Sequence, residues 1–240
     1  MPRAARIVLP GLPHHVLQCG NNRQAIFFAD DDRRAYLDLL AQESERSGLA
    51  LLAYALMTNH VHLIVVPGDD EALARAVGRT HWRYTQYLNR LRRRSGHLWQ
   101  NRFYSCPLDG PHLRQACAYV ERNPVRARLV RLAWRYPWSS AAVHVGEAPP
   151  PPWLDVKAWR AWCTTRAWRS ELQRPEDEDE LRSFRAAIHR GRPLVGDRLL
   201  SKLERQLGRC LRPRPVGRPK GAKTRKPAKK PARPGSPVRK

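Results

Sequence analysis

His60-Val61-His62 sets two imidazoles one residue apart in a run of branched apolar residues that continues to Val66. Such a run reads as a β-strand, whose side chains alternate faces. Both rings then point one way, and Val61 and Leu63 the other. Two neutral imidazoles on one face of a rigid strand make half of a divalent-metal site. A second group lies downstream. After Pro111, the residues Leu113, Ala116, Cys117 and Val120 recur at helical spacing and form a core-facing stripe. Tyr119 falls off that stripe, with His112, Gln115, Arg122 and Asn123, so its phenol is expected on a polar face. Asn123 lies one turn beyond and could bring an amide oxygen beside the phenol. A tyrosine next to a divalent metal suggests attack on a phosphodiester. The phenolate becomes covalently joined to phosphate, while the metal polarises a non-bridging oxygen. Two imidazoles and an amide suit Mg²⁺ or Mn²⁺, because an anionic substrate removes the need for carboxylate ligands.

These groups need a scaffold, and the chain pattern supplies one. His15 to Cys19 reads as a strand ending at Gly20-Asn21-Asn22. Asp30-Asp31-Asp32 offers a cap and a dipole-matched first turn for a helix running to Ser47 and stopped by Gly48. Leu49 to Met57 and His60 to Val66 read as strands joined at Thr58-Asn59. Glu71 to Arg93 reads as a helix with a basic, aromatic face bearing Arg79, Trp82, Arg83 and Tyr87. A fourth strand is expected around Arg102 to Cys106, and Pro111 opens the helix that carries Tyr119. The order β-α-β-β-α-β is the split βαβ, ferredoxin-like α+β arrangement, an antiparallel sheet with helices on one side. The other face is expected to be open to nucleic acid, with the histidines on it.

Composition bounds the partner. The 240 residues carry a net charge of +24, which points to a polyanion, nucleic acid first and an anionic membrane second. Residues 212–240 hold 12 Lys/Arg, seven prolines and no acid, so they are expected to be a disordered basic tail. The remaining body is still +12, so the tail alone does not explain the partner. Residues 1–146 form the expected main domain, 147–152 a Pro-rich linker, and 153–211 a Trp-rich helical extension. Five scattered cysteines without a CxxC pair argue against a zinc module or a disulfide framework. The longest apolar run, Leu49 to Met57, is too short to span a bilayer, and no signal-peptide pattern is present, so a cytoplasmic, nucleoid-associated protein is expected.

His60-Val61-His62 resembles the HUH motif of single-strand DNA nucleases and transposases. Tyr119-Val120-Glu121-Arg122-Asn123-Pro124-Val125-Arg126-Ala127 resembles the tyrosine motif of the REP-associated tyrosine transposases, relatives of the single-tyrosine transposases of small insertion sequences. Leu98 to Ser105 and Trp138-Ser139-Ser140 also look like family segments, in matching order, and the likeness covers roughly residues 10–145. The resemblance implies that Tyr119 attacks single-stranded DNA to give a 5′-phosphotyrosine and a free 3′-hydroxyl. It implies His60 and His62 as metal ligands and Asn123 as a third. Strand joining then needs no nucleotide cofactor. It further implies hairpin-forming palindromic repeats with a short guide sequence as substrates, and a monomeric enzyme. Arg79, Arg83, Arg102, Arg122 and Arg126 are expected to contact the DNA.

Plainer readings stand beside these. His14 and His15 face opposite ways, so at most one could join the pair, and both are expected to be structural. Tyr104, in a strand, is the rival nucleophile. Asn123 could instead cap a helix from Pro124 to Val130, because proline disfavours helical geometry at the residue before it. Cys117 reads as packed in the core, and the acidic run Glu176 to Glu180 as a solvated helix start. Arg190 to Pro193 and Gly217 to Lys220 resemble minor-groove AT-hook cores. Competing functions on the same fold are a catalytically silent nucleic-acid-binding regulator and an RNA-binding protein using the open sheet face.

Overall fold

The computed structural model of the chain describes residues 6–208 and 210–212. From residue 213 on, the expected disordered tail and the AT-hook-like Gly217 to Lys220 lie outside the described residues.

Strand β1 (His14–Cys19) leads through a short turn to helix α1 (Asp30–Ser47). The Asp32 carboxylate reaches back to accept the backbone N–H groups of Phe28 and Ala29 at 2.8 and 3.0 Å, which satisfies donors the helix leaves orphaned. Gly48 ends it with φ of 66°, a left-handed conformation that glycine adopts without steric cost. Strands β2 (Leu49–Met57) and β3 (His60–Pro67) follow, joined at Thr58-Asn59 as the pattern indicated. Helix α2 (Ala72–Leu91), strand β4 (Tyr104–Pro107) and helix α3 (Gly110–Glu121) complete the α+β unit. The sheet order is β2-β3-β1-β4 with every neighbour antiparallel, the ferredoxin-like arrangement. Beyond α3 lie α4 (Asn123–Arg126), α5 (Ala141–His144), α6 (Val156–Arg160), α7 (Thr165–Gln173), α8 (Glu178–Arg190) and α9 (Asp197–Leu207).

Strand register sorts the side chains. His60 stands opposite Cys19, His62 opposite Leu17, and Ile64 opposite His15, so these six share a face. The opposite face carries Val16, Val61, Leu63 and Val65, packed with Tyr36 and Leu40 of α1 and Leu73, Val77 and Tyr84 of α2.

The histidine face is not open, contrary to expectation. Leu17, Ile64, Ala53 and Ala55 are buried there beneath Leu113, Ala116, Cys117 and Val120 of α3, with Trp159, Trp168 and Phe184 from the later helices. Strand β2 contains the reason. Its sequence Leu-Ala-Leu-Leu-Ala-Tyr-Ala-Leu-Met lacks alternation, and a strand apolar at nearly every position needs cover on both faces. The helical segment after the prolines is part of that cover. Leu154 bridges to Leu51, and the Asp155 N–H donates to the Leu51 carbonyl at 2.8 Å. Trp159 and Trp168 are fully buried. Each such ring removes roughly 150–250 Å² from water, about 4–6 kcal/mol of hydrophobic stabilisation.

The Trp138-Ser139-Ser140 segment dresses the free edge of β2. The Leu56 N–H donates to the Trp138 carbonyl at 2.9 Å, and the Tyr54 N–H to Ser140 Oγ at 3.0 Å. Unpaired strand edges invite aggregation, and this segment occupies one. Among the described residues no helix is long and apolar enough to cross a membrane.

Candidate active site

The two histidines stand at the start of β3, immediately after the tight Thr58-Asn59 turn. Asn59 Oδ1 lies 2.7 Å from His60 Nδ1, so this nitrogen donates and Nε2 carries the lone pair. Burial, and secondarily the Arg126 guanidinium, push the His60 pKa down to about 4. The ring is therefore neutral at pH 7, the state a metal ligand requires. The His60 and His62 rings are 5.0 Å apart.

His15 turns out to belong to this group. Its Nε2 lies 2.9 Å from His62 Nδ1, a hydrogen bond that orients the His62 ring. Strand parity with Leu17 and Cys19 was the signal that could have placed it there. His14 faces away: its Nδ1 donates to the Leu12 carbonyl at 2.8 Å and its Nε2 accepts the Leu9 N–H at 3.2 Å, a structural role as expected.

Helix α3 carries Tyr119 over the histidine face. Asp109 caps the helix by accepting the His112 N–H, and the predicted stripe of Leu113, Ala116, Cys117 and Val120 is buried. The Tyr119 ring centre lies 5.5 Å from that of His62 and 6.1 Å from that of His15. Tyr119 lines a cleft together with His112, Gln115 and Arg122 of the expected polar stripe. It is half-buried at the rim of the second core, 5.0 Å from the Phe184 ring, because α8 packs beside β4. The Arg126 guanidinium stacks 4.2 Å over the phenol ring, donates to the Tyr119 carbonyl, and meets Glu176 at 2.7 Å.

Asn123 is drawn to the same place. It is the first residue of α4 and makes no capping hydrogen bond; Arg122 precedes it as the cap residue, already helical. The capping reading and the expected helix to Val130 therefore do not hold. Pro124 is accommodated because first-turn N–H groups need no intrahelical acceptor. The Asn123 amide lies 3.5 Å from His60 Nε2, and a rotation of that amide presents its oxygen instead. His60, His62, Tyr119 and Asn123 thus converge from β3, α3 and α4.

The arginines divide. Arg122 is buried, and its guanidinium donates to the carbonyls of Leu172, Glu171 and Arg174, which closes the C-terminal end of α7. This placement gives it a structural role at the wall of the Tyr119 cleft. Arg83 pairs with Glu43 at 2.7 Å on the far side of the sheet, while Arg79 and Arg102 are exposed. Glu121 was missed by the sequence reading. Fully buried, it accepts from Ser140 Oγ at 2.5 Å, from His144 Nδ1 at 2.5 Å and from Trp168 Nε1 at 2.7 Å. It ties the helix carrying Tyr119 to the edge segment and to α7.

Tyr104 shares the histidine face, since Leu17 pairs with both His62 and Tyr104. It stands two strands from His62, roughly 10 Å away. Tyr119 is the tyrosine in ring contact with the pair.

The donor set of two imidazoles and one amide fits a divalent cation with positions left for anionic oxygens. Among the described residues no group of three or more His, Cys, Asp or Glu could hold a metal, so the third ligand would have to be the Asn123 amide.

Fold and site together define a ferredoxin-like α+β domain with an imidazole pair facing a tyrosine. Residues 9–123 match the family model for IS200-like transposases. Among solved structures, a REP-associated tyrosine transposase bound to a REP hairpin superposes with a TM-score of 0.53 at 19% identity, over 62% of this chain and 89% of that one. This likeness is one of fold. A protein from Deinococcus radiodurans described as a candidate transposase gives 0.36 at 20% identity, over 51% of this chain and 97% of that one. No curated protein gives a match.

Proposed function

We propose that this chain is an enzyme that cleaves and rejoins single-stranded DNA at hairpin-forming palindromic repeats, with Tyr119 as nucleophile and a 5′-phosphotyrosine intermediate. The observation that carries the reading is the convergence of the Tyr119 ring on the His62 ring at 5.5 Å, with the Asn123 amide beside His60. His60, His62 and Asn123 would hold Mg²⁺ or Mn²⁺, which supplies Lewis-acid polarisation of a phosphate oxygen.

The residues of the chain do the rest. Asn59 and His15 orient the two imidazoles. The phenol of Tyr119 loses its proton as its oxygen bonds to phosphorus. The bond from phosphorus to the 3′-oxygen breaks, and that oxygen leaves as a hydroxyl after taking up a proton. Arg126 holds Tyr119 in place and sets a positive charge beside the forming phosphotyrosine. The bond energy is kept, so a second strand's 3′-hydroxyl can reverse the step. The solved neighbour bound to a REP hairpin and the transposase family model matched by residues 9–123 support the same substrate class. We further propose that the enzyme works as a monomer in the cytoplasm, near the nucleoid.

The test is denaturing electrophoresis of the protein after incubation with a labelled single-stranded hairpin and Mn²⁺ or Mg²⁺. Wild type is expected to acquire label, and Tyr119→Phe to acquire none. Label retained by Tyr119→Phe refutes the nucleophile. Tight binding by wild type without any adduct supports the silent binding module instead.

A further inference from the structure

The exposed edge of α2 carries a feature that the phosphotyrosine chemistry does not use. Trp82 is the most exposed of the large hydrophobic side chains among the described residues, at 65%. An indole left in water is unusual unless something covers it. Trp82 lines three concavities of about 710, 780 and 490 Å³, of which the second also carries Asp38 and the third Glu71. The first is lined by Gln86, Asn89, Arg90, Arg94 and His97, and no Asp or Glu is among its lining residues. The contrast along the helix is informative. Arg75, near the start of α2, is neutralised by Asp69 at 2.6 Å and Glu71 at 2.8 Å.

This groove is also connected to the candidate site. Its wall at Leu98 and Trp99 is joined by backbone pairing to the end of β1. The Asn21 N–H donates to the Leu98 carbonyl at 2.8 Å, Gly20 bridges Trp99, and the Gln100 N–H donates to the Cys19 carbonyl at 2.8 Å. Gly20 in turn donates to the carbonyl of Asn59, whose side chain holds His60. Groove wall and histidine pair are therefore tied together at the same end of the sheet, on its two faces.

We infer that the Trp82 groove binds unpaired nucleotides of the DNA strand, with a base stacked on the Trp82 indole and flanking phosphates held by Arg90 and Arg94. A flat apolar ring with cations along one side matches the two surfaces of single-stranded DNA, a base face and a charged backbone. The amides of Gln86 and Asn89 add donors and acceptors for base edges. Within a duplex the internal bases are stacked on both faces, so the groove discriminates unpaired from paired DNA. The inference deepens the reading of the chain as a single-strand DNA enzyme and rests on it.

The test titrates the full chain and its variants against fluorescein-labelled oligothymidylate and against a blunt duplex, with sedimentation as a parallel measurement. Trp82→Ala is expected to weaken oligothymidylate binding about tenfold, Trp82→Phe to retain most of it, and duplex binding to change by less than about twofold. Arg90→Gln combined with Arg94→Gln is expected to lower the salt slope by about 1.4. An oligonucleotide with 5-iodouracil at unpaired positions is expected to cross-link to Trp82. Unchanged oligothymidylate affinity in Trp82→Ala overturns the inference, and so does an equal loss on the blunt duplex. Dissociation of a dimer by Trp82→Ala overturns it too, by making this face a contact between copies. Adduct formation by wild type is read separately. If it fails while the Trp82 effect stands, the enzymatic reading falls and the groove survives.

Discussion

Replacing Glu121 should loosen the whole arrangement around Tyr119. The carboxylate has no exposure and receives three hydrogen bonds, from Ser140, His144 and Trp168. Glu121→Ala leaves His144 Nδ1 and Trp168 Nε1 buried without an acceptor, leaves Ser140 Oγ only its longer 3.4 Å bond to the Tyr54 carbonyl, and opens a cavity. Breaking a buried, charge-assisted constellation of this kind costs about 3–5 kcal/mol. A domain of ordinary stability has only about 5–15 kcal/mol in total. Glu121→Gln keeps the shape and one acceptor but loses the charge and turns an amide N–H₂ toward a donor, so about 2 kcal/mol is expected. Urea unfolding followed by tryptophan fluorescence reads both, because Trp168 donates to the carboxylate directly. The slope with denaturant should stay constant while the midpoint falls. A loss below about 1 kcal/mol for Glu121→Ala would refute the argument that this carboxylate fastens the tyrosine helix.

Three further outcomes follow from the geometry. His14 and His81 are held neutral by burial, with pKa values lowered to about 4 and about 3. Their stabilising effect is complete above the ordinary histidine value of about 6.5 and is lost as pH falls toward 4. Each should therefore cost about 2 kcal/mol by pH 5, seen as falling urea midpoints, and His81→Gln should flatten the profile. Arg126→Ala removes the cation stacked on the Tyr119 ring and its bond to Glu176, so cleavage rate should drop about tenfold or more while hairpin affinity changes little. An equal loss in affinity would make Arg126 a DNA contact. Arg122→Ala should lower stability by about 2 kcal/mol and leave the salt slope of DNA binding unchanged, since its donors close α7. A reduced slope would restore it to the DNA surface.

Much of this molecule was legible because local signals agreed. The Asp30 to Gly48 helix had its start and stop written in residue types, and the β2–β3 hairpin had its turn. The alternation at His60-Val61-His62 placed both rings on one face, and helical periodicity found the buried stripe of α3. What failed depended on partners distant in sequence. The cover over the histidine face comes from Trp159, Trp168 and Phe184, whose periodicity showed an apolar side but not its destination. The absence of alternation in β2 was the available clue. Arg122 was read only as a DNA contact because a cation in a basic chain carries no mark of the three carbonyls it serves. Asn123 escaped the rule for residues before proline because α3 runs almost directly into α4. His15 was set aside although strand register gives it the face of His62.

The central claim is that the half-buried tyrosine against His62, and not the exposed Tyr104 two strands away, carries the DNA. Mass spectrometry of the peptide that retains a nucleotide, after digestion of the protein–DNA adduct formed with Mn²⁺, locates the linkage directly. The account predicts a phosphodiester on Tyr119, intact in Tyr104→Phe and missing in Tyr119→Phe. A nucleotide found on Tyr104, or an adduct surviving in Tyr119→Phe, would contradict it.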